Sequence, residues 1–158
     1  MARLTLLLAC LALAPGASEA CSCSPLGTPE EALAASDRVF LGAATTVELR
    51  CDHPNTKPFI RKPGQGVEIV CTSPSGEEHS FPIKLATFMV SENFKGTGSV
   101  ETLQTELYGA MCGVEFVAGE EYVVYAKRQD GVLTASLCSR TGVATDKESG
   151  LSVLRDGG

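Results

Sequence analysis

The chain has 158 residues, seven of them cysteine, with a formal net charge of -6 and a pI near 4.9. That acidity excludes nucleic acid as a partner, since its binding rests on clustered Lys and Arg that neutralise phosphates. The length allows one domain with a single core and leaves little room for a second.

Residues 1–20 read as a secretion signal: Arg3 supplies the positive end, Leu4 to Ala14 the apolar run, and Ser18-Glu19-Ala20 a small-x-small cleavage site. The apolar run is too short to span a bilayer. A cut after Ala20 makes Cys21 the first residue of a 138-residue chain (158 minus 20) that is secreted, or periplasmic in a Gram-negative source. Two lipidation alternatives compete, at Leu7-Leu8-Ala9-Cys10 and at Cys21 itself. The first would follow an unusually short export signal, and the second would place Ser18 and Glu19 where apolar or small residues belong. Either would anchor the chain to a membrane and bury the Cys21 nitrogen in an amide.

Without the leader six cysteines remain: Cys21, Cys23, Cys51, Cys71, Cys112 and Cys138. An even count in an exported chain reads as three disulfides, although six cysteines allow 15 pairings and spacing does not choose among them. A zinc site competes for one subset, because Cys51-Asp52-His53, Cys71 and His79 bring two cysteines and the only two histidines into one region. Export favours the oxidised state, and that spacing fits no common zinc module.

Thr28-Pro29-Glu30-Glu31 is a helix start: Thr28 can cap, Pro29 suits the first turn, and Glu31 can reach back to the cap's N–H, giving a short helix to about Ser36. Arg38 to Leu49, rich in Val, Phe, Leu and Thr, predicts a long first strand. Residues 52–80, broken by Pro54, Pro58, Pro63 and Pro74, read as an excursion from the body, with a hairpin turning at Lys62-Pro63-Gly64-Gln65-Gly66. Were Cys51 and Cys71 paired, the bridge would clip the base of this excursion and contribute about 3 kcal/mol through loop-closure entropy.

Ile83 to Val90 predicts a second core strand, followed by a turn at Asn93-Phe94-Lys95-Gly96. Gly96-Thr97-Gly98-Ser99 lacks the Lys and the following helix of a phosphate loop and reads as a plain turn. Val100 to Leu107 is a further strand, Gly109 to Gly113 a loop carrying Cys112, and Glu121 to Lys127 an apolar strand. Asp130-Gly131 is the clearest hairpin signal, with Val132 to Cys138 returning as the partner strand. Beyond Thr141 a polar tail is expected to fray or to form one loose helix near Asp146 to Leu154.

These elements predict an all-β fold with a short helix: a five-stranded, nearly closed antiparallel barrel braced by disulfides. The expected organisation is a leader over 1–20, a barrel domain over 21–142 containing the 52–80 excursion, and a tail over 143–158.

The ordered set Cys21-x-Cys23-x-Pro25, Ser36-Asp37-x-Val39, Phe94-Lys95-Gly96, Cys112-Gly113, and Gln129-Asp130-Gly131 leading through Leu133 to Cys138-Ser139 resembles the N-terminal inhibitory domain of the tissue inhibitors of metalloproteinases. That family's domain is a netrin-like module with an oligonucleotide/oligosaccharide-binding barrel. The resemblance implies bridges Cys21–Cys112 and Cys23–Cys138, and leaves Cys51 and Cys71 as a pair with no counterpart matched to the family's third bridge. The second, cysteine-rich half of the animal inhibitors has no match here, so functions tied to it are not carried over.

The resemblance further implies a secreted inhibitor of zinc metalloproteases, expected as a monomer with no cofactor of its own. A catalytic zinc keeps one position open for water or substrate. The amine and carbonyl of Cys21 would fill it, so that Cys21 meets metal in trans on the target. Ser22 would enter the specificity pocket, with Cys23, Ser24, Pro25, Ala110, Met111 and Cys112 forming the rest of the contact. Ser24 stands where the family has an apolar residue, and Ala110-Met111 where it has a polar-apolar pair.

Bland readings stand beside these. Terminal cysteine pairs commonly only staple the chain, Met111 can be ordinary packing, and Glu77-Glu78 or Glu120-Glu121 read as solvated turn charges. The alternative function is a non-inhibitory netrin-like module that holds a protein partner through the barrel face or the excursion. No His-Glu-x-x-His, Gly-x-Ser-x-Gly or phosphate loop is present, so an enzyme is not expected.

Overall fold

The computed structural model describes residues 21–24, 26–52, 56–61, 68–72 and 81–157. The expected leader, Pro25, the expected turn at Lys62–Gly66, and His53 and His79 all lie outside these residues.

Helix α1 (Pro29–Ala35) begins as its sequence requires. The Thr28 hydroxyl accepts from the Glu31 amide at 3.2 Å, and the Glu31 carboxylate accepts from the Thr28 amide at 2.8 Å. Among the described residues eight strands follow: β1 (Arg38–Cys51), β2 (Lys57–Arg61), β3 (Glu68–Thr72), β4 (Pro82–Lys95), β5 (Val100–Glu106), β6 (Glu121–Gln129), β7 (Val132–Thr134) and β8 (Gly142–Val143), then helix α2 (Leu151–Asp156). Single 3-10 turns occupy Gly109–Met111, Leu137–Ser139 and Lys147–Ser149.

Strand β1 pairs antiparallel with both β4 and β6, which closes a ring in the order β1-β4-β5-β7-β6. The ring is antiparallel except at its narrowest seam, where β5 and β7 meet in parallel through the single pair Gln104–Thr134. The fold is therefore mostly β with a short helix, a five-stranded ring resembling a barrel, and three disulfides, as the sequence predicts. Inside it Phe40, Phe88, Phe116 and Tyr122 pack edge to face, with neighbouring centroids 5.0 to 6.1 Å apart.

One end of the ring is closed by Arg38, which is 4% exposed. Its guanidinium donates to Glu101 at 2.7 Å, to the Lys95 carbonyl at 2.7 Å and to the Asn93 side chain at 2.5 Å, and lies 5.1 Å from the Phe40 ring centroid. A buried charge is tolerated only when it is paired and hydrogen-bonded in this way.

Four expectations are corrected. Strand β1 runs to Cys51 rather than Leu49, and β4 runs from Pro82 to Lys95, so the turn falls at 96–99 instead of Asn93–Gly96. The reason is pairing: β4 follows β1 back as far as Val39 opposite Lys95, where Arg38 claims the Lys95 carbonyl. Gly96, at φ 78, supplies the left-handed turn conformation that follows. Strand β7 stops at Thr134 rather than continuing to Cys138. Once Leu133 is buried and the Ala135 amide has bonded Gln104 at 3.0 Å, the chain leaves the sheet for the turn carrying Cys138. The Asp130-Gly131 hairpin forms as expected, both residues taking positive φ, 48 and 85.

The excursion carries its own two-stranded sheet, β2 against β3, with Cys51 bridged to Cys71 at a Cα separation of 5.9 Å. That bond uses both cysteines of the alternative zinc set.

The fourth correction concerns the tail: a helix forms near the expected place, as α2, but it is docked rather than loose or frayed. Val39 and Leu41 on β1, and Val123 and Tyr125 on β6, point outward from the ring, and an apolar outer face must be covered. Leu154 and Leu151 from the tail, with Ala32 and Leu33 from α1, pack against it. The Tyr125 hydroxyl donates to the Ser149 carbonyl at 2.8 Å, and burial pushes its pKa up, keeping it a protonated donor. Replacing Leu154 by Ala is expected to cost about 2–5 kcal/mol, the usual range for a buried leucine. Urea unfolding of the variant checks this, since a loose tail would leave the midpoint unchanged.

Candidate functional site

Residues 21–24 have no sheet or helix to fix them, and two covalent bonds do so instead. Cys21 is bridged to Cys112 and Cys23 to Cys138, with Cα separations of 5.1 and 5.3 Å. Ser22 and Ser24 are exposed between and beside these anchors.

Each anchor is built by a tight turn. In the first, the Met111 and Gly113 amides both donate to the Tyr108 carbonyl, at 2.9 and 3.0 Å, and Cys112 takes the left-handed conformation at φ 64. Gly113 then runs so close to β5 that a Cβ there would lie 2.1 Å from the Glu106 carbonyl oxygen. In the second turn, the Ser136 hydroxyl accepts from the Cys138 amide at 3.2 Å. The Leu137 amide donates to the Cys112 carbonyl at 2.9 Å, so the two turns are bonded to each other independently of the N-terminal segment.

The four sulfurs consequently lie within 4.8 Å of one another, with Cys138 Sγ 3.8 Å from Cys112 Sγ and 4.0 Å from Cys21 Sγ. Each is spent in a disulfide, so this cluster offers no thiolate to a metal in the oxidised chain. Behind the segment, Arg140 donates to the Gly27 carbonyl at 2.5 Å and to the Glu148 carbonyl at 2.7 Å, tying the chain after the bridges to the docked tail. Nearby, the exposed Glu30 carboxyl is held below its ordinary pKa, chiefly by a backbone hydrogen bond, then by the Thr28 hydroxyl and by Arg140.

The edge formed by 21–24, 108–112 and 137–139 contains no acidic or basic side chain. It presents serine hydroxyls, the disulfides and three exposed large apolar residues, Tyr108, Met111 and Leu137. A groove of about 470 Å³ separates the segment from α1, lined by Ser22, Ser24, Leu26, Ala32, Ala35 and Arg140. Such an edge can enter a cleft.

Of the residues expected at the site, the structure brings Cys21, Ser22, Cys23, Ser24, Met111 and Cys112 to one edge. Ala110 lies on the same turn, and Pro25 is outside the described residues. Tyr108 and Leu137 were not anticipated. For Leu137 a signal existed in its position directly before Cys138, an apolar residue at a bridged turn; Tyr108 gave none.

Comparison with protein families matches residues 19–143 to the family described as tissue inhibitor of metalloproteinase. Comparison with curated proteins finds no match. The family match takes in the ring and all six cysteines of the three bridges, and the docked helix α2 lies beyond it.

Because the Gly113 site has no room for a methyl group, Gly113→Ala is expected to displace the Cys112 turn and cost about 1–3 kcal/mol or more from overpacking. Thermal unfolding of the purified variant measures this; an unchanged midpoint would show that the turn yields freely.

Proposed function

This chain belongs to the tissue inhibitor of metalloproteinase family, a netrin-like family, and from that premise we propose that it inhibits zinc metalloproteases through the free amine and carbonyl of Cys21. Members of the family are inhibitors rather than enzymes. Family members are secreted, and no helix among the described residues is long and apolar enough to cross a membrane. In this reading residues 1–20 are removed as a leader, residues 21–142 carry the inhibitory fold, and the exported protein acts outside the cell as a monomer.

The observation that carries the reading is the covalent clamping of a residue pair, Cys21 and Cys23, around an exposed Ser22. An α-amino group has a pKa of about 7.7 to 8.0, so deprotonation near neutral pH costs little. A neighbouring zinc favours the neutral form further. Nitrogen and carbonyl oxygen of one residue close a five-membered chelate on the target's metal and displace its water. A flexible terminus would lose much of that gain to ordering, whereas one bridged at two positions has already been ordered by folding. Ser22 then takes the place of a substrate's first side chain beyond the scissile bond. Ser24 and Pro25, with Ala110 and Met111 beside Cys112, form the flanking contact.

Mass spectrometry of the secreted chain is expected to give Cys21 as the first residue. One alanine added before Cys21, or acetylation of its amine, is expected to weaken inhibition of a susceptible metalloprotease by about a hundredfold or more, roughly 3 kcal/mol. Inhibition constants for the two N-terminal forms provide the check, and equal constants would discard the chelation mechanism in favour of a module that binds without chelating.

A further inference from the structure

The two bridges at the N-terminal segment are in contact with each other, and that contact has chemical consequences. We propose that they form a thiol relay: one attack by a low-molecular-weight thiolate on Cys23 converts both bridges into a single Cys112–Cys138 bond and frees the N-terminal segment.

Accessibility decides which bridge is attacked first. Cys23 and Cys138 are both exposed, whereas Cys21 and Cys112 are partly covered and Cys71 of the third bridge is buried. Thiol–disulfide exchange proceeds by attack of a thiolate on a disulfide sulfur, at a rate set by access and by the leaving thiol. Attack by RS⁻ on Cys23 Sγ forms the mixed disulfide R–S–S–Cys23 and expels Cys138 as a thiolate. That thiolate is created 3.8 Å from Cys112 Sγ and 4.0 Å from Cys21 Sγ, at van der Waals contact with the second bridge.

The two distances do not choose between the sulfurs, but the scaffold does. Cys112 and Cys138 belong to turns already bonded through Leu137 N–H and the Cys112 carbonyl. Joining them therefore moves neither turn far. Attack on Cys112 forms the Cys112–Cys138 bond and expels Cys21 as a thiolate. Its departure returns conformational freedom to residues 21–24, which lie outside every strand and helix. A second RS⁻ then attacks R–S–S–Cys23, leaving Cys23 as a thiol and R–S–S–R as the oxidised product. The balance is two thiols oxidised to one disulfide and one protein disulfide reduced to Cys21 and Cys23 thiols. If the Cys21 thiolate reaches the mixed disulfide first, Cys21 joins Cys23 and RS⁻ is returned, an isomerisation with no net redox change. Both branches carry the Cys112–Cys138 bond as their mark. The pairing chemistry stands on the sulfur positions together with the bonded turns; its consequence, loss of protease inhibition, rests on the function proposed above.

The test treats the full secreted chain with rising concentrations of reduced glutathione at neutral pH, quenches with acid, alkylates with N-ethylmaleimide and maps bridges under non-reducing conditions. The first altered species is expected to hold Cys112–Cys138 and an intact Cys51–Cys71, with Cys21 and Cys23 alkylated or joined to each other. Recovery of Cys21–Cys112 with Cys23 and Cys138 alkylated, of Cys21–Cys138, or of only fully reduced chains would overturn the relay. A Cys23→Ser variant, born with an unpaired Cys138, is expected to fold with Cys112–Cys138 and a free Cys21 without added thiol; a Cys21–Cys112 bond there would count against it. Inhibition measured on the same samples is expected to fall in proportion to the Cys112–Cys138 fraction. Inhibition absent before treatment would bear on the function and leave the mapping result intact.

Discussion

The structure depends on two turns being held side by side at the rim of the ring. The hydrogen bond from Leu137 N–H to the Cys112 carbonyl joins them, Gly113 lets the first lie against β5, and Ser136 folds the second. Only because these turns are fixed can two disulfides convert residues 21–24 from a loose end into a defined edge. An unpaired segment of that kind would otherwise pay about 1–2 kcal/mol of backbone entropy per residue on meeting a partner. Here folding has already met that cost, and the barrel core supplies the energy.

The core can do so because β1 and β6 are apolar on both faces. Their inward residues fill the ring, and their outward residues, Val39, Leu41, Val123 and Tyr125, demand a second layer. Helix α1 from one end of the chain and α2 from the other provide it. Arg140 then links the two ends, donating to Gly27 just after the bridged segment and to Glu148 just before α2. Covering the outer face therefore also braces the edge from behind, so core packing and site geometry are not separable in this fold.

Much of this was legible in local chemistry. The Thr28-to-Glu31 capping box and the Asp130-Gly131 hairpin are determined by a few adjacent residues, and both form as their residues require. Errors arose where tertiary pairing overrides local pattern. The polar residues Ser91, Glu92 and Asn93 lie beyond the expected strand end at Val90, yet β4 continues through them because β1 remains opposite and Arg38 bonds Asn93 and Lys95. The docking of the tail was written in β1 and β6 rather than in the tail, since unbroken apolar runs such as Val123-Val124-Tyr125 announce burial on both faces. The edge residues followed from the family resemblance, because spacing alone leaves the cysteine pairing undetermined. Tyr108 and Leu137 needed the folded turns, since their exposure comes from where those turns point.

The neutrality of the edge bears on how it would act in the proposed inhibition. Charged side chains entering a closed cleft lose hydration, a penalty that only well-placed partners repay. An edge of serine hydroxyls, disulfide sulfur and exposed Tyr108, Met111 and Leu137 carries little of that penalty. Affinity would then come from apolar contact along the flanks, with the electrostatic share concentrated at the single α-amino group. Such a division would make the edge tolerant of side-chain variation. It would also make the edge intolerant of anything that shifts its first residue. In that mechanism the bridges would matter more than their neighbours: when the electrostatic term sits on one atom, what sets the strength of binding is how firmly that atom is held.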